Sequence, residues 1–483
     1  DSFICSPLLI PSIFVGFTVL TVTDSLRSVK VIFCIYLQKS LQDFHMSKQN
    51  FFKGTVILTC TGLASRMIGF FYRIFLSHTI GAQGLGLYQL IIPLQTLVLA
   101  VTASGIQTSL SRLAAERMAL KKDKEARDLF CTGTLLSVLF SLFASWILYQ
   151  NADFFAAKIL KEPLTSPYIR ILAFSFPLSA LHSCVNSFYF AEKKTGIPSC
   201  LQLLEQAVRV GSSYLIFLIL VSENRPVTAA IAAGGAFISE VFASAAGLLV
   251  ISLDFSKKNY SVFQTKHPFS CAGEILKASL PLTLNRVLLT LLGGIEVVLI
   301  PQRLQMSGLS PSDALGIYGV FTGMALPLIL FPSTVANSAS VMLMPSVAEM
   351  QALGYGTRIR AVTGKACTGT FLLGVFCASV FFIFGPFLGN ILFHSPTAGV
   401  YIRTMSFICP FLYMNTALSS ILHGLGRNLR SLIHHSIGIL VRISFVFFAI
   451  PQLGIRGYLY GILAGEILLS GLHLFSLCRQ PFD

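Results

Sequence analysis

The feature that most constrains this chain is a succession of apolar runs, each long enough to cross a lipid bilayer. A spanning helix needs about 20 predominantly apolar residues. From residue 46 onward twelve such runs follow one another: 54–77, 85–110, 129–149, 170–191, 197–221, 227–253, 275–300, 315–347, 366–393, 402–422, 431–450 and 455–477. They cannot all be interior helices of a water-soluble domain. Only 11% of the 483 residues are charged and 54% are hydrophobic, with a mean hydropathy of +0.75, whereas a soluble domain carries about 25% charged residues. A soluble enzyme, a nucleic-acid binder and a disordered chain are excluded. Because only a helix satisfies every backbone polar group within one lipid-exposed segment, the runs predict an all-α polytopic membrane protein with twelve transmembrane helices.

The formal charge of +15 then reads as basic loops rather than as a nucleic-acid footprint. With the start of the first run in the cytoplasm, twenty basic residues fall on that side, including Lys48, Lys53, Arg112, Arg117, Lys121, Lys122, Lys193 and Arg427; seven fall on the other. Both ends of the twelve-helix core are therefore expected in the cytoplasm of a bacterial plasma membrane. Proline interrupts several runs, and Pro327 and Pro332 predict a kink in the longest, 315–347. The eleven cysteines are scattered without C-x-x-C spacing, so neither a disulfide framework nor a zinc site is expected.

Residues 1–45 fit this pattern poorly. Phe3 to Val22 is apolar but no basic segment precedes it, which argues against a signal peptide. Met46 opens a short basic lead-in, Met46-Ser47-Lys48-Gln49-Asn50-Phe51-Phe52-Lys53. The expectation is that Met46 is the true start and that 1–45 is a non-native extension.

The remainder repeats itself. Leu85-Gly86-Leu87-Tyr88 is echoed by Leu315-Gly316-Ile317-Tyr318, and Glu116 by Glu349. Ala207-Val208-Arg209-Val210 is echoed by Leu440-Val441-Arg442-Ile443, and the glycine-rich surroundings of Glu240 by those of Glu466. The offsets are 230, 233, 233 and 226 residues, in the same order along the chain. Two six-helix lobes are predicted, 46–265 and 266–483. Six crossings each make this a parallel repeat, the arrangement in which transporters place substrate between lobes.

Nine ionisable residues sit at membrane depth: Arg66, Arg73, Arg209, Arg286, Arg442, Glu205, Glu240, Glu296 and Glu466. An arginine at a helix centre costs at least about 2.5–3.5 kcal/mol, so each needs a partner or a wet cavity. Glu205 and Arg209, four apart, share a helix face and are expected to pair. Glu240 and Glu466 occupy matching repeat positions, where pairing with Arg209 and Arg442 is the simplest structural role. Arg66, Arg73, Arg286 and Glu296 differ, because they lie on the first helix of each lobe. Arg66 and Arg73, seven apart, share a face; Arg73, near the outer end, has snorkelling as its plain alternative. A cavity rich in arginine and poor in acid suits an anionic ligand, above all a phosphate or pyrophosphate gripped bidentately. There is no P-loop, no metal-ligand spacing and no catalytic constellation, so no cofactor, metal or enzymatic step is expected. His182, His434 and His435 have no nucleophile nearby in sequence, and the pair His434-His435 reads as interfacial.

With these residues in view, the segment 46–90, in particular Ser65-Arg66-Met67-Ile68-Gly69-Phe70, resembles the stage V sporulation protein B group. That group belongs to the multidrug/oligosaccharidyl-lipid/polysaccharide (MOP) exporter superfamily, with the lipid II flippases as relatives. The likeness continues through Leu204-Glu205-Gln206-Ala207-Val208-Arg209, from Ser279-Leu280-Pro281 to Arg286 and Glu296, and through Pro345-Ser346-Val347-Ala348-Glu349. It implies a MATE-like fold and movement of an undecaprenyl-pyrophosphate-linked cell-wall precursor across the membrane, in spore cortex synthesis. It also implies that Arg66, Arg73, Arg286 and Glu296 bind substrate, that membrane lipids are partners, and that cell-wall synthesis enzymes are candidate ones. Members commonly carry fourteen helices, the last two forming a groove for the lipid tail, and the runs here stop at twelve; a truncated product or a missing groove is the corresponding expectation. Two other readings compete: a cation-coupled multidrug antiporter of the same fold, and a non-transporting sporulation scaffold.

Overall fold

The computed structural model describes residues 48–257, 268–352 and 354–479, and the account of residues 1–45 falls outside them. Leu58–Asp483 forms one compact unit, separate from Asp1–Ile57, and holds the helical bundle. Among the described residues there are helices and no strand. Ten helices are long and apolar enough to cross a membrane, or eleven if a pair bent by 47° at Phe174 counts as one span. The chain is a multi-pass membrane protein.

The helices, in chain order, are α1 (Lys48–Leu99), α2 (Gly105–Ala119), α3 (Asp123–Gln150), α4 (Ser166–Ala173), α5 (Ser175–Ala191), α6 (Gly196–Ser222), α7 (Ala230–Lys257) and α8 (Pro268–Met306). The second half continues with α9 (Pro311–Gly319), α10 (Leu326–Leu330), α11 (Ser333–Ala352), α12 (Gly356–Phe393), α13 (Pro396–Met405), α14 (Cys409–Gly424), α15 (Asn428–Phe448) and α16 (Ile455–Arg479).

The first candidate span, Cys60–Met118, is a 59-residue stretch. At 1.5 Å per residue it measures about 88 Å, nearly three times a bilayer core of about 30 Å, so it must turn. It does so at Gly81, whose φ of 67° and ψ of −175° break the helix; the runs 54–77 and 85–110 fall on either side. A left-handed φ with no Cβ penalty is what glycine supplies there. The long run 315–347 is broken as well, though only at one of its two prolines. Pro327 lies within α10, while the chain leaves helical form at Phe331–Pro332. Pro327 lies where π-helical Val320–Ala325 passes into α10 within one continuous helix, Pro311–Leu330, and such a widened turn accommodates the missing N–H.

Packing is inside-out relative to a soluble bundle. On α3, Leu135, Leu139, Leu142, Phe143 and Trp146 are exposed, while Ser137, Ser141 and Ser145, each one turn apart, are buried. The apolar stripe is the lipid-facing one. The serine stripe lets neighbouring backbones approach and bonds across to them: Ser137 donates to the Thr102 carbonyl at 3.0 Å, and Ser145 donates to that of Ala173. One continuous core joins the two halves, with Leu85, Leu90 and Phe176 from the first and Phe321, Tyr318 and Tyr413 from the second.

The halves come into backbone contact where α1 crosses α9. A Cβ on Gly86 would lie 2.4 Å from the Leu315 carbonyl oxygen, and one on Gly319 would lie 2.0 Å from that of Ala82. Only hydrogen fits at either position.

The two helices that carry the sequence-predicted substrate residues straddle the halves. Toward its centre α1 packs on the first half, with the Tyr72 hydroxyl 2.8 Å from Ser213 Oγ and Phe75 edge-on to Phe217. Toward its start it reaches the second half, where Phe70 packs on Phe331. α8 does the converse. Its start is bound to the first half by Arg117, which donates to both Glu274 oxygens at 2.9 and 3.0 Å. Its later part is bound to α15 through Glu296 and Arg442.

Candidate functional site

The nine intramembrane ionisable residues separate into two kinds. Arg66 and Arg286 are exposed and Arg73 is half-buried. Among the described residues none of the three has a carboxylate within 4 Å. Arg66 donates from Nη1 to Thr334 Oγ1 at 3.2 Å, across to the second half. That bond occupies one of the five guanidinium N–H groups and supplies no counter-charge.

The other six are engaged. Arg442 donates from Nε and Nη2 to the two Glu296 oxygens, at 2.8 and 3.0 Å, the fork-on-fork geometry that fixes a guanidinium in place. The Tyr458 hydroxyl donates to Glu296 Oε1 at 2.9 Å. Glu296 is only 4% exposed, so the substrate-binding role expected for it is set against three hydrogen bonds from within the second half. Arg442 also lies 3.6 Å from Glu466 Oε1, and Asn415 Nδ2 donates to Glu466 Oε2 at 2.7 Å. Asn415 Nδ2 also donates to the Glu466 backbone carbonyl, an acceptor only, at 3.0 Å, which fixes the amide's orientation and leaves Oδ1 2.8 Å from Ser470 Oγ.

In the first half Arg209 is paired with Glu205 one turn before it, as the four-residue spacing predicts, and reaches Ser239 Oγ at 3.4 Å. The expected Arg209–Glu240 pair is not formed. Glu205 on the same helix holds the guanidinium, and the ionic neighbour of Glu240 is His182, whose Nδ1 stands 3.7 Å from Oε2.

Each half holds a partly open cavity beside these groups. The first, about 330 Å³, is lined by Gln107, His182, Asn186, Gln202, Glu205 and Glu240 among others. The second, about 360 Å³, is lined by Asn415, Ser419, His435, Gly438, Arg442 and Glu466 among others. The linings correspond along the repeat. His182 and Asn415, Asn186 and Ser419, Gln202 and His435, and Glu205 and Gly438 are each 233 residues apart. The sequence offers the arginines and carboxylates and names His182 only as lacking a nearby nucleophile; Asn186, Asn415 and Tyr458 carry no signal of their own there. The repeat offset that relates Arg209 to Arg442 would have placed His182 opposite Asn415. The pair His434-His435 is also more deeply engaged than an interfacial position suggests: Ser419 Oγ lies 3.1 Å from both His435 Nε2 and His473 Nε2, and His434 Nδ1 lies 2.8 Å from His473 Nδ1.

A family profile described as "Polysaccharide biosynthesis protein" matches residues 51–351. The chain is 26% identical over 445 residues to stage V sporulation protein B of Bacillus subtilis, covering 90% of this chain and 85% of that relative. It is 26% identical over 221 residues to the lipid II flippase MurJ of the same organism, covering 44% of this chain and 40% of that one. Among solved structures, an inward-facing multidrug resistance MATE family transporter of the MOP superfamily superposes with a TM-score of 0.66 at 16% identity, covering 90% of this chain and 95% of that one. The likeness shows the fold, an all-helical MATE-like architecture.

Proposed function

The chain belongs to the polysaccharide biosynthesis protein family, and from that premise we propose that it is a membrane transporter that flips a polyprenyl-pyrophosphate-linked cell-wall precursor. The similarity to stage V sporulation protein B supports a setting in spore formation, and that to a lipid II flippase supports a lipid-linked cargo.

One observation carries the reading: the segregation of charge. Among the described residues Glu205, Glu240, Glu296 and Glu466 are turned into one half or the other, and Arg66, Arg73 and Arg286 have no acid within 4 Å. Exposed arginine at membrane depth is too costly to face hydrocarbon. In this reading the three line a wet cleft between two six-helix lobes, 46–265 and 266–483, and grip the pyrophosphate while the polyprenyl tail stays in the bilayer. Charge-assisted hydrogen bonds of about 1.5–3 kcal/mol each draw the headgroup in without holding it permanently. Rocking of the lobes exchanges access between the two faces, with no covalent step. Both ends of a twelve-span core lie in the cytoplasm, and cell-wall synthesis enzymes are the partners that would supply and consume the cargo.

Proteoliposomes loaded with a fluorescent polyprenyl-pyrophosphate disaccharide test this, read by protection of the label from a membrane-impermeant quencher. Protein-dependent exchange of the labelled lipid is expected. Its absence, together with ion-driven uptake of an organic cation, would instead establish the antiporter reading.

A further inference from the structure

The cavity of the first half holds a constellation that the transport reading does not use. His182 on α5, Glu205 on α6 and Glu240 on α7 each offer one ligand atom, and these atoms lie within 4.8 Å of one another. The cavity is short of positive charge: two carboxylates face one arginine, and Arg209 is committed to Glu205. Glu240 is 9% exposed, yet its Oε2 has no hydrogen-bond partner. Leaving a buried charged oxygen unpaired costs more than leaving a neutral group so.

The repeat mate shows what a satisfied version looks like. There Asn415, in the position of His182, donates to Glu466 at 2.7 Å. In the first half an imidazole stands at 3.7 Å from the matching carboxylate, too far for a hydrogen bond. It is close to the edge of a coordination sphere, since ligands bound at about 2.0–2.2 Å stand about 3.4 Å or more apart.

Asn186 supplies a second, independent sign. Its amide nitrogen lies 3.0 Å from His182 Nε2, and its Oδ1 is buried without a partner. The two amide orientations are interchangeable by a flip. With Oδ1 toward the ring, it accepts from Nε2–H while the amide nitrogen takes the place the oxygen held, and the lone pair is then on Nδ1, 3.7 Å from Glu240 Oε2. A histidine that donates through one nitrogen and presents the other to carboxylates is the arrangement of a metal ligand with its supporting hydrogen bond.

We infer that His182, Glu205 and Glu240 bind a divalent first-row transition-metal ion, with the cavity supplying the open coordination position. Imidazole with two carboxylates suits Zn²⁺ or Mn²⁺ better than an alkali cation, which prefers an all-oxygen shell. The site uses none of Arg66, Arg73 and Arg286, and ion binding is read without transport, so its test is separate from that of the transport reading.

The full chain, purified in detergent, stripped with chelator and dialysed against Zn²⁺, is expected to retain one ion per chain by elemental analysis. His182→Ala and Glu240→Gln should weaken binding by about 100-fold or more, and Asn186→Ala by about 10–100-fold. His434→Ala/His473→Ala should leave it unchanged, which separates this site from the other histidine group. Should a variant fail to fold, Co²⁺ titration of the unaltered chain decides: a visible band that Zn²⁺ abolishes is expected. Absence of that band, substoichiometric Zn²⁺, retention of the ion by folded Glu240→Gln protein, or its loss in the His434/His473 variant would overturn the assignment.

Discussion

Arg442 and Glu296 show how much a single residue's role depends on its partner. Glu296 lies on the same helix as Arg286, and position alone makes the two one substrate-binding set. The structure gives Glu296 a bidentate guanidinium and a tyrosine hydroxyl, and among the described residues Arg286 has no carboxylate within 4 Å. Removing one member of a buried ion pair strands the other, at about 3–5 kcal/mol, whereas replacing both with apolar groups of similar volume is near neutral. Arg442→Met should therefore lower thermal stability in detergent markedly, and Arg442→Met/Glu296→Leu should recover most of the loss. Equal destabilisation by the single and double variants would show that the pair is not the cause. Glu205–Arg209 is legible in the sequence because its partners are four residues apart on one helix. Glu296–Arg442 is not, since its partners are 146 residues apart and nothing local joins them.

At the scale of elements, the glycines of the α1–α9 crossing carry the most specific constraint. Gly319 packs against the Ala82 carbonyl and the Gly86 amide, backbone atoms that cannot rotate away. Gly316, one turn earlier, has no neighbour nearer than the Gln83 side chain at 3.9 Å. Gly319→Leu should thus destabilise by at least the ~1–3 kcal/mol typical of overpacking, and Gly316→Ala should be tolerated within about 0.5 kcal/mol. Thermal melting of the two proteins measures the contrast. Apolar length reveals the helices themselves, because the bilayer sets it. The breaks are harder. Gly81 separates two apolar runs and is visible as a gap, while the choice between Pro327 and Pro332 depends on a π-helical turn before Pro327 that absorbs its missing N–H, which no local sequence signal announces. The bend at Phe174 is announced by Pro177, which cannot donate to the Ala173 carbonyl four residues before it; Ser145 bonds that carbonyl instead.

Across the whole molecule, the two halves distribute the same machinery differently. Their cavities correspond at an offset of 233 residues. One is lined by asparagine and arginine around Glu466; the other pairs an additional carboxylate with a histidine. Such divergence between repeat copies is invisible to a search for similarity, which finds Glu240 and Glu466 because they are alike and passes over His182 and Asn415 because they differ. What the copies share is that their acids are held within the halves; in the proposed reading the arginines of α1 and α8 then serve the cargo. Arg66 is the most informative of these, since it is exposed and bonded only to a threonine hydroxyl of the opposite half. Arg66→Lys keeps the charge but loses the planar fork, and should lose much of the activity.

The most direct measurement is lipid-linked pyrophosphate translocation by Arg66→Ala/Arg286→Ala protein in proteoliposomes, with insertion and folding checked by chromatography and melting. Removing an arginine from membrane depth eases insertion, so folded protein is expected, with transport abolished. Translocation by the folded variant at the rate of the unaltered chain would contradict the assignment of these arginines to the cargo.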